Sequence, residues 1–296
     1  MNIKFIVDSA SDIPRDYAKE NNVTVIGIPI IFEDGTQLRA WHDITEEEFY
    51  KRLPTESQIP KTSQPPIPML KEMFMDGVEN YDATIYFTIS SKASGTYQTC
   101  HMIKNEILEE HPDAKIEIVD SMSYSLFITL MLDEAIRLNR EGKSLEEIVE
   151  GAKDVRRHTN VYVLVDTLKY LEKGGRINKA SLIAGSLLNI KPVLSVINGI
   201  MESVDKFRGS KTVFHKLVQK VIADDLNTED PHWCIVHADA QDRADQLFAT
   251  VKEHCGEDSK LEFISQIGAT VGTHIGPGTL ALFYRTNSPR KVYEED

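Results

Sequence analysis

The sequence predicts an α/β protein of two domains: a doubly wound parallel sheet over residues 1–160, and a second α/β domain with a mixed sheet over residues 161–296. Three observations lead there. Short β-forming runs alternate with helical stretches through the first 160 residues, the pattern of βαβ units. In the second half, Asn198-Gly199 stands between two β-forming runs, a strong hairpin signal that brings in antiparallel pairing. At 296 residues the chain is long for one hydrophobic core and comfortable for two.

Ile3–Val7 is an apolar run that reads as a buried strand, and Asp12 with Pro14 predicts a capped helix to about Glu20. Val23–Phe32 reads as a strand that ends in the turn Glu33-Asp34-Gly35-Thr36. Thr45-Glu46-Glu47-Glu48 is a capping-box pattern opening a helix to about Leu53. Lys61–Pro68 is proline-rich and reads as loop before a helix over Pro68–Val78. The strand Thr84–Ile89 precedes a helix from Ser94 to Glu110 with Ile103 and Ile107 on its apolar face. Lys115–Val119 is a further strand. Ser123–Arg140 is apolar nearly all round in its first half, as a buried helix would be. Ser144 opens a helix over Leu145–His158.

Past residue 160, Val161–Val165 reads as strand and Asn178–Leu188 as a small-residue helix. Pro192–Ile197 and Met201–Phe207 flank the hairpin turn. Helices are expected over Ser210–Asp225 and Arg243–His254, with the strand Trp233–Val236 between them. The strands Leu261–Ile267 and Thr279–Tyr284 enclose a glycine-rich loop.

Composition excludes several classes. A net charge of −13 is the wrong sign for a nucleic-acid binder and a poor match to an anionic membrane surface. No stretch approaches the roughly 18 apolar residues of a membrane span, and the short first apolar run is a strand rather than a signal peptide. Cys100, Cys234 and Cys255 form neither a disulfide framework nor a metal-ligand spacing, which points to a reducing cytoplasm and to no metal.

Chemistry concentrates where strands end. The clusters are Asp8-Ser9-Ala10-Ser11-Asp12, Lys61-Thr62-Ser63-Gln64-Pro65 and Ser90-Ser91-Lys92-Ala93-Ser94-Gly95-Thr96-Tyr97-Gln98. Two loops join them, Lys173-Gly174-Gly175-Arg176 and Thr273-His274-Ile275-Gly276-Pro277-Gly278. Hydroxyls, exposed N–H groups and helix N-termini suit an anion, and ligands on parallel sheets bind beyond the strands' carboxyl ends. Read singly, each motif has a plainer role: Ser94 a helix cap, Thr62 and Ser63 a polar turn, Arg176 a solvated residue after a glycine C-cap, His274 a turn residue.

As an ordered set the motifs are specific. Asp8-Ser9, Thr62-Ser63-Gln64-Pro65, Ser94-Gly95-Thr96-Tyr97, Gly174-Gly175-Arg176, Asn189-Ile190-Lys191-Pro192 and Gly276-Pro277-Gly278 resemble, in that order, the DegV family of fatty-acid-binding subunits that serve bacterial fatty acid kinase. The resemblance spans nearly the whole chain, with no departure at a ligand position. It implies that Thr62 and Ser94 bind a fatty acid carboxylate, with Ser63, Gly95, Thr96, Gly174, Gly175 and Gly276 in the supporting loops. It implies that Arg176 and His274 lie near the exposed carboxyl group and serve the kinase step or the docking of the kinase. The chain would then carry no catalytic residue or intrinsic cofactor. ATP and Mg²⁺ would belong to the kinase's ATP-binding subunit, and an acyltransferase of phospholipid synthesis would take the acyl phosphate.

The physics suits that expectation. A carboxylate taken from water must recover its hydrogen bonds, and each buried CH₂ of a tail contributes about 0.8 kcal/mol, on the order of 12 kcal/mol gross for some fifteen of them. Ile28, Ile30, Leu126, Phe127, Leu187 and Leu188 are candidates for the lining, each equally at home in plain core. Nucleotide motifs fail: Gly209-Ser210-Lys211-Thr212 has Val204 where a P-loop needs its first glycine. Three rivals stand beside the carrier: a lipid-sensing or transfer protein without a kinase partner, an esterase using Ser94 as nucleophile and His274 as base, and a carrier of another hydrophobic carboxylate.

Overall fold

The computed structural model describes residues 1–178, 190–209 and 212–290. Its first sheet is built from β1 (Ile3–Asp8), β2 (Thr24–Ile26), β6 (Ala83–Thr88) and β7 (Ile116–Asp120), all parallel, in the order β2-β1-β6-β7. Helices cover both faces. Leu70 and Phe74 of α3 (Ile67–Asn80), with Ile103 and Ile107 of α4 (Thr96–Glu110), pack on Ile6 and Tyr86. On the other face, α5 (Leu126–Arg140) and α6 (Leu145–His158) pack with Val7, Ile85 and Phe87. α5 is buried on nearly every side through Leu132, as its sequence requires.

A second sheet follows, with β8 (Thr159–Leu164), β9 (Ile190–Ile197), β10 (Ile200–Arg208), β11 (Trp233–His237), β12 (Leu261–Gln266) and β13 (Leu280–Arg285) in the order β10-β9-β8-β13-β11-β12. All its pairings are antiparallel except β11 with β12. Asn198 and Gly199 turn the β9–β10 hairpin with φ of 46° and 77°, the left-handed pair that a two-residue turn demands. Alternation gives this sheet two faces. Val161, Val163, Ala281 and Phe283 face the first half of the chain. Tyr162, Leu164, Leu282 and Tyr284 pack against α8 (Val213–Ala223) and α9 (Gln241–Cys255).

Several expectations shift. The run Val23–Phe32 is two strands in two sheets: β2 leaves the first sheet at Gly27, and β3 (Pro29–Ile31) joins an antiparallel trio β4-β3-β5 with β4 (Gln37–Arg39) and β5 (Lys61–Thr62). Gly27 has no room for a side chain, since a Cβ would stand 2.7 Å from the Ala40 carbonyl. Lys61-Thr62 is therefore a strand edge rather than loop. Asp12 does not cap α1 (Arg15–Glu20); Pro14 takes that position and the Asp12 carboxylate turns inward. Ser94 stops one residue short of the N-cap of α4, which is Gly95. The glycine-rich loop holds a helix, α10 (Ala269–Ile275). The capping boxes of Thr45 with Glu48, opening α2 (Glu46–Arg52), and of Ser144 with Glu147 are formed. The helix expected over Asn178–Leu188, with Leu187, Leu188 and Asn189, lies essentially outside the described residues, as do Ser210 and Lys211 of the failed P-loop.

The first hydroxyl cluster joins the two halves. Ser9 Oγ lies 2.7 Å from Thr270 Oγ1, and the Ile28 N–H donates to Ser9 Oγ. Asp12 accepts from the Gly268 N–H at 2.8 Å and from Ser125 Oγ at 2.5 Å. Burial pushes the carboxyl groups of Asp8 and Asp12 up, to about 6 and about 7. Cys100 and Cys234 are buried and Cys255 is exposed. Burial pushes the Cys100 thiol up to about 12.

A raised carboxyl pKa means that the folded state holds its proton more tightly than the unfolded one. That contribution to stability is complete below about pH 4 and is lost as pH rises through about 7. Asp12→Asn keeps an acceptor for Gly268 without a charge to bury. Denaturant unfolding between pH 4 and 8 should show wild-type stability falling with pH and the variant's changing less, with the variant ahead by on the order of 2 kcal/mol at pH 8. Parallel profiles would remove Asp12 as the source.

Candidate functional site

A cavity of about 520 Å³ lies between the two sheets, within the usual range for a small-molecule pocket. Its walls are largely aliphatic: Val161 and Val163 from β8, Val196 from β9, Val236 from β11, Ala281 and Phe283 from β13. These are the inward residues of alternating strands, so the pleat that builds the core also builds the lining. Ile28 contributes, whereas Ile30, Leu126 and Phe127 are fully buried core and not part of the lining.

The polar residues gather from four segments. Thr62 and Ser63 come from β5 and its end, Ser94 and Gly95 from the turn before α4, Arg176 from the turn after α7 (Lys169–Gly174), and His274 from α10. Thr62 Oγ1 and His274 Nε2 are 2.8 Å apart, a hydrogen bond across 212 positions. Ser94 Oγ lies 2.8 Å from Thr96 Oγ1 and accepts from the Thr96 N–H at 3.3 Å. Ser94 thus serves the first turn of α4 while its hydroxyl lines the cavity.

Close packing fixes the histidine. Gly174 lies against the ring, and a Cβ there would stand 2.6 Å from His274 Nδ1. Gly175 ends α7 in the left-handed conformation, and Arg176 Nη1 then donates back to the Gly174 carbonyl. Gly276 follows α10 against the ring of Tyr170. His274 Nδ1 is buried with no hydrogen-bond partner among the described residues. Burial, with a smaller contribution from the Arg176 cation, brings the imidazole down to about 4. The ring is therefore neutral at pH 7, and the positive charge at this end of the cavity is carried by Arg176, with the exposed Lys92 at the lining.

Other residues enter that were not among the candidate site residues. Tyr124 lines the cavity and donates its hydroxyl to the Gly199 carbonyl at 3.0 Å, beside Ser90 Oγ at 2.7 Å. The tip of the β9–β10 hairpin is thus fastened to the end of β6. Gln64 lines the cavity against Gly95, whose missing side chain makes room for the Gln64 amide. Thr270 and Val271 arrive on α10, the helix that the glycines disguised. A Cβ at Gly272 would meet the Tyr50 hydroxyl at 2.6 Å, so α10 sits tight on α2. Among the described residues no helix is long and apolar enough to cross a membrane.

Known proteins share this architecture. The family model described as "uncharacterised protein, DegV family" matches residues 2–287. A DegV domain-containing protein of Clostridium perfringens is 32% identical, with 97% of this chain and 100% of that protein covered. A Thermus thermophilus structure described as showing fatty acid binding of a DegV family protein superposes with a TM-score of 0.86 at 28% identity, covering 97% of this chain and 100% of that one. A stearic acid-binding protein of Eubacterium ventriosum superposes with a TM-score of 0.87 at 26% identity, covering 96% and 98%.

The depressed His274 pKa has a definite sign. The unfolded chain takes up the proton near pH 6.5 and the folded chain near pH 4, so this residue's contribution to stability is complete above about pH 6.5 and is lost as pH falls toward 4. Gly174→Ala should displace the ring from Thr62 and destabilise the protein by about 1–3 kcal/mol. Proton NMR titration should find His274 titrating near 4 in the wild type and closer to 6.5 in the variant. An unshifted titration would show that the glycine is not what holds the ring.

Proposed function

The chain belongs to the DegV family, and from that membership we propose that it is a carrier which encloses a long-chain fatty acid and presents the carboxylate to a separate ATP-dependent kinase. The observation that carries this reading is the cavity itself, an aliphatic interior with hydroxyls, an arginine and a neutral histidine gathered on its lining. An amphiphile with one anionic head and a long apolar tail matches both parts. In this reading residues 1–160 and 161–296 are two domains that close on the tail between them.

Thr62 and Ser94 donate hydrogen bonds to the carboxylate in place of water. With His274 neutral, an Nε2–H tautomer donates to Thr62 Oγ1 and leaves the threonine hydroxyl proton for the ligand. The carboxylate is already ionised, so attack of its oxygen on the γ-phosphorus of the kinase's ATP needs no base on this chain. The new O–P bond forms as the bond to ADP breaks, and Arg176 offsets charge on the transferred phosphoryl group. ATP and Mg²⁺ are the kinase's. The carrier then holds the acyl phosphate for an acyltransferase of phospholipid synthesis, in the cytoplasm. An esterase mechanism finds less support, because His274 Nε2 bonds to Thr62 and Ser94 bonds to Thr96.

Denaturing the purified protein and extracting it for mass spectrometry should release roughly one fatty acid per chain. Thr62→Ala and Ser94→Ala should each weaken uptake of added fatty acid about tenfold or more, the scale of a hydrogen bond to a charged group. Arg176→Ala should weaken uptake less than Thr62→Ala or Ser94→Ala does, and should lower acyl phosphate formation with the kinase and ATP. A protein that is empty and takes up no fatty acid would end the carrier reading.

A further inference from the structure

On the outer side of the second sheet, away from the cavity, three side chains converge that the carrier reading does not use. His215 lies in the first turn of α8, and Glu253 and His254 in the last turn of α9. One donor atom from each, two imidazole nitrogens and a carboxylate oxygen, lies within 4.8 Å of both others. His215 Nε2 is 3.3 Å from Glu253 Oε2, and the two imidazole rings stand edge to face with centroids 5.4 Å apart. We propose that His215, Glu253 and His254 bind a Zn²⁺ ion that staples α8 to α9.

The geometry favours a metal over a plain ion pair. An ion pair uses His215 and Glu253 but leaves His254 Nε2 buried and without a hydrogen-bond partner among the described residues. A metal ion gives that nitrogen a partner. Bonds of about 2.0–2.2 Å in a tetrahedral site put donors about 3.4 Å apart. The His215–Glu253 separation already matches, and the His254 donor, within 4.8 Å of both, needs only a small side-chain movement to join them. Two imidazoles and one carboxylate are the donors that Zn²⁺ prefers, whereas Mg²⁺ and Ca²⁺ need oxygen ligands throughout. Three protein ligands leave a fourth position for water.

The position defines the consequence. α8 and α9 pack on Tyr162, Leu164, Leu282 and Tyr284, the reverse of the strands that line the cavity. A metal that binds the folded state and joins these helices raises stability with the logarithm of its free concentration once that exceeds the dissociation constant. It leaves the lining untouched.

The test uses the full chain stripped with EDTA. Calorimetric titration with Zn²⁺ should give one ion per chain at micromolar affinity or tighter and raise the Tm, and Mg²⁺ should give no binding. His215→Ala and His254→Ala should each weaken Zn²⁺ binding at least about tenfold, with a smaller loss for Glu253→Gln. His232→Ala, outside the cluster and held instead by Asp230 and Glu262, should leave binding unchanged. Circular dichroism of each variant checks folding, and Co²⁺ should give the visible absorption of a tetrahedral site. The proposal is overturned by the absence of saturable Zn²⁺ binding below about 100 μM, or by unchanged affinity in both His→Ala variants. Fatty acid uptake should be the same with and without Zn²⁺, so either result stands apart from the carrier assignment.

Discussion

The position of α10 depends on one buried carboxyl group. Asp12, just past the end of β1, accepts a hydrogen bond from the Gly268 N–H at the start of α10 and another from Ser125 at the start of α5. Ser265 adds a third link by donating to the Asp12 carbonyl. Three segments remote in sequence thus meet at one residue. α10 carries Thr270, Val271, His274 and Ile275 into the cavity, so the register of the polar residues is set well away from them. The group is fully buried, and its elevated pKa records how much desolvation the arrangement tolerates.

The second sheet divides labour by its pleat. One set of alternating residues makes the aliphatic wall, and the other anchors α8 and α9. A substitution on β8 or β13 therefore acts on the cavity or on the outer helices according to whether its position is odd or even, Val163 against Leu164 or Phe283 against Tyr284. The hairpin tip is fastened by Ser90 and Tyr124, which brings the far end of β9 and β10 onto the first sheet.

Much of this was legible in the sequence because local rules and tertiary packing agreed. The capping boxes at Thr45 and Ser144, the Asn198-Gly199 turn and the alternation of β8 each declare themselves within a few residues. The ordered motifs brought Thr62, Ser94, Arg176 and His274 to one cavity, a juxtaposition that no single motif specifies. Where the structure departs from local preference, a nonlocal demand overrides it. Gly27 splits a continuous β-forming run because the Ala40 backbone passes too close for any side chain. Gly272 weakens the helical signal of α10 for the sake of contact with Tyr50. Asp12 abandons the helix end it could cap because two distant donors need an acceptor. The pairing of His215 with His254 has no sequence spacing to announce it, since two packed helices create it.

The three cysteines give the molecule its own reporters of opening. Cys100 lies on the sheet-facing side of α4, Cys234 in the interior strand β11 of the second sheet, and Cys255 at the surface. A thiolate is the reactive form, and burial holds the Cys100 thiol near 12, so in the closed protein only the surface sulfur is open to alkylation. Modification at Cys100 measures how often the first half opens, and modification at Cys234 how often the second does. Comparing the two rates tells whether the halves breathe together or apart.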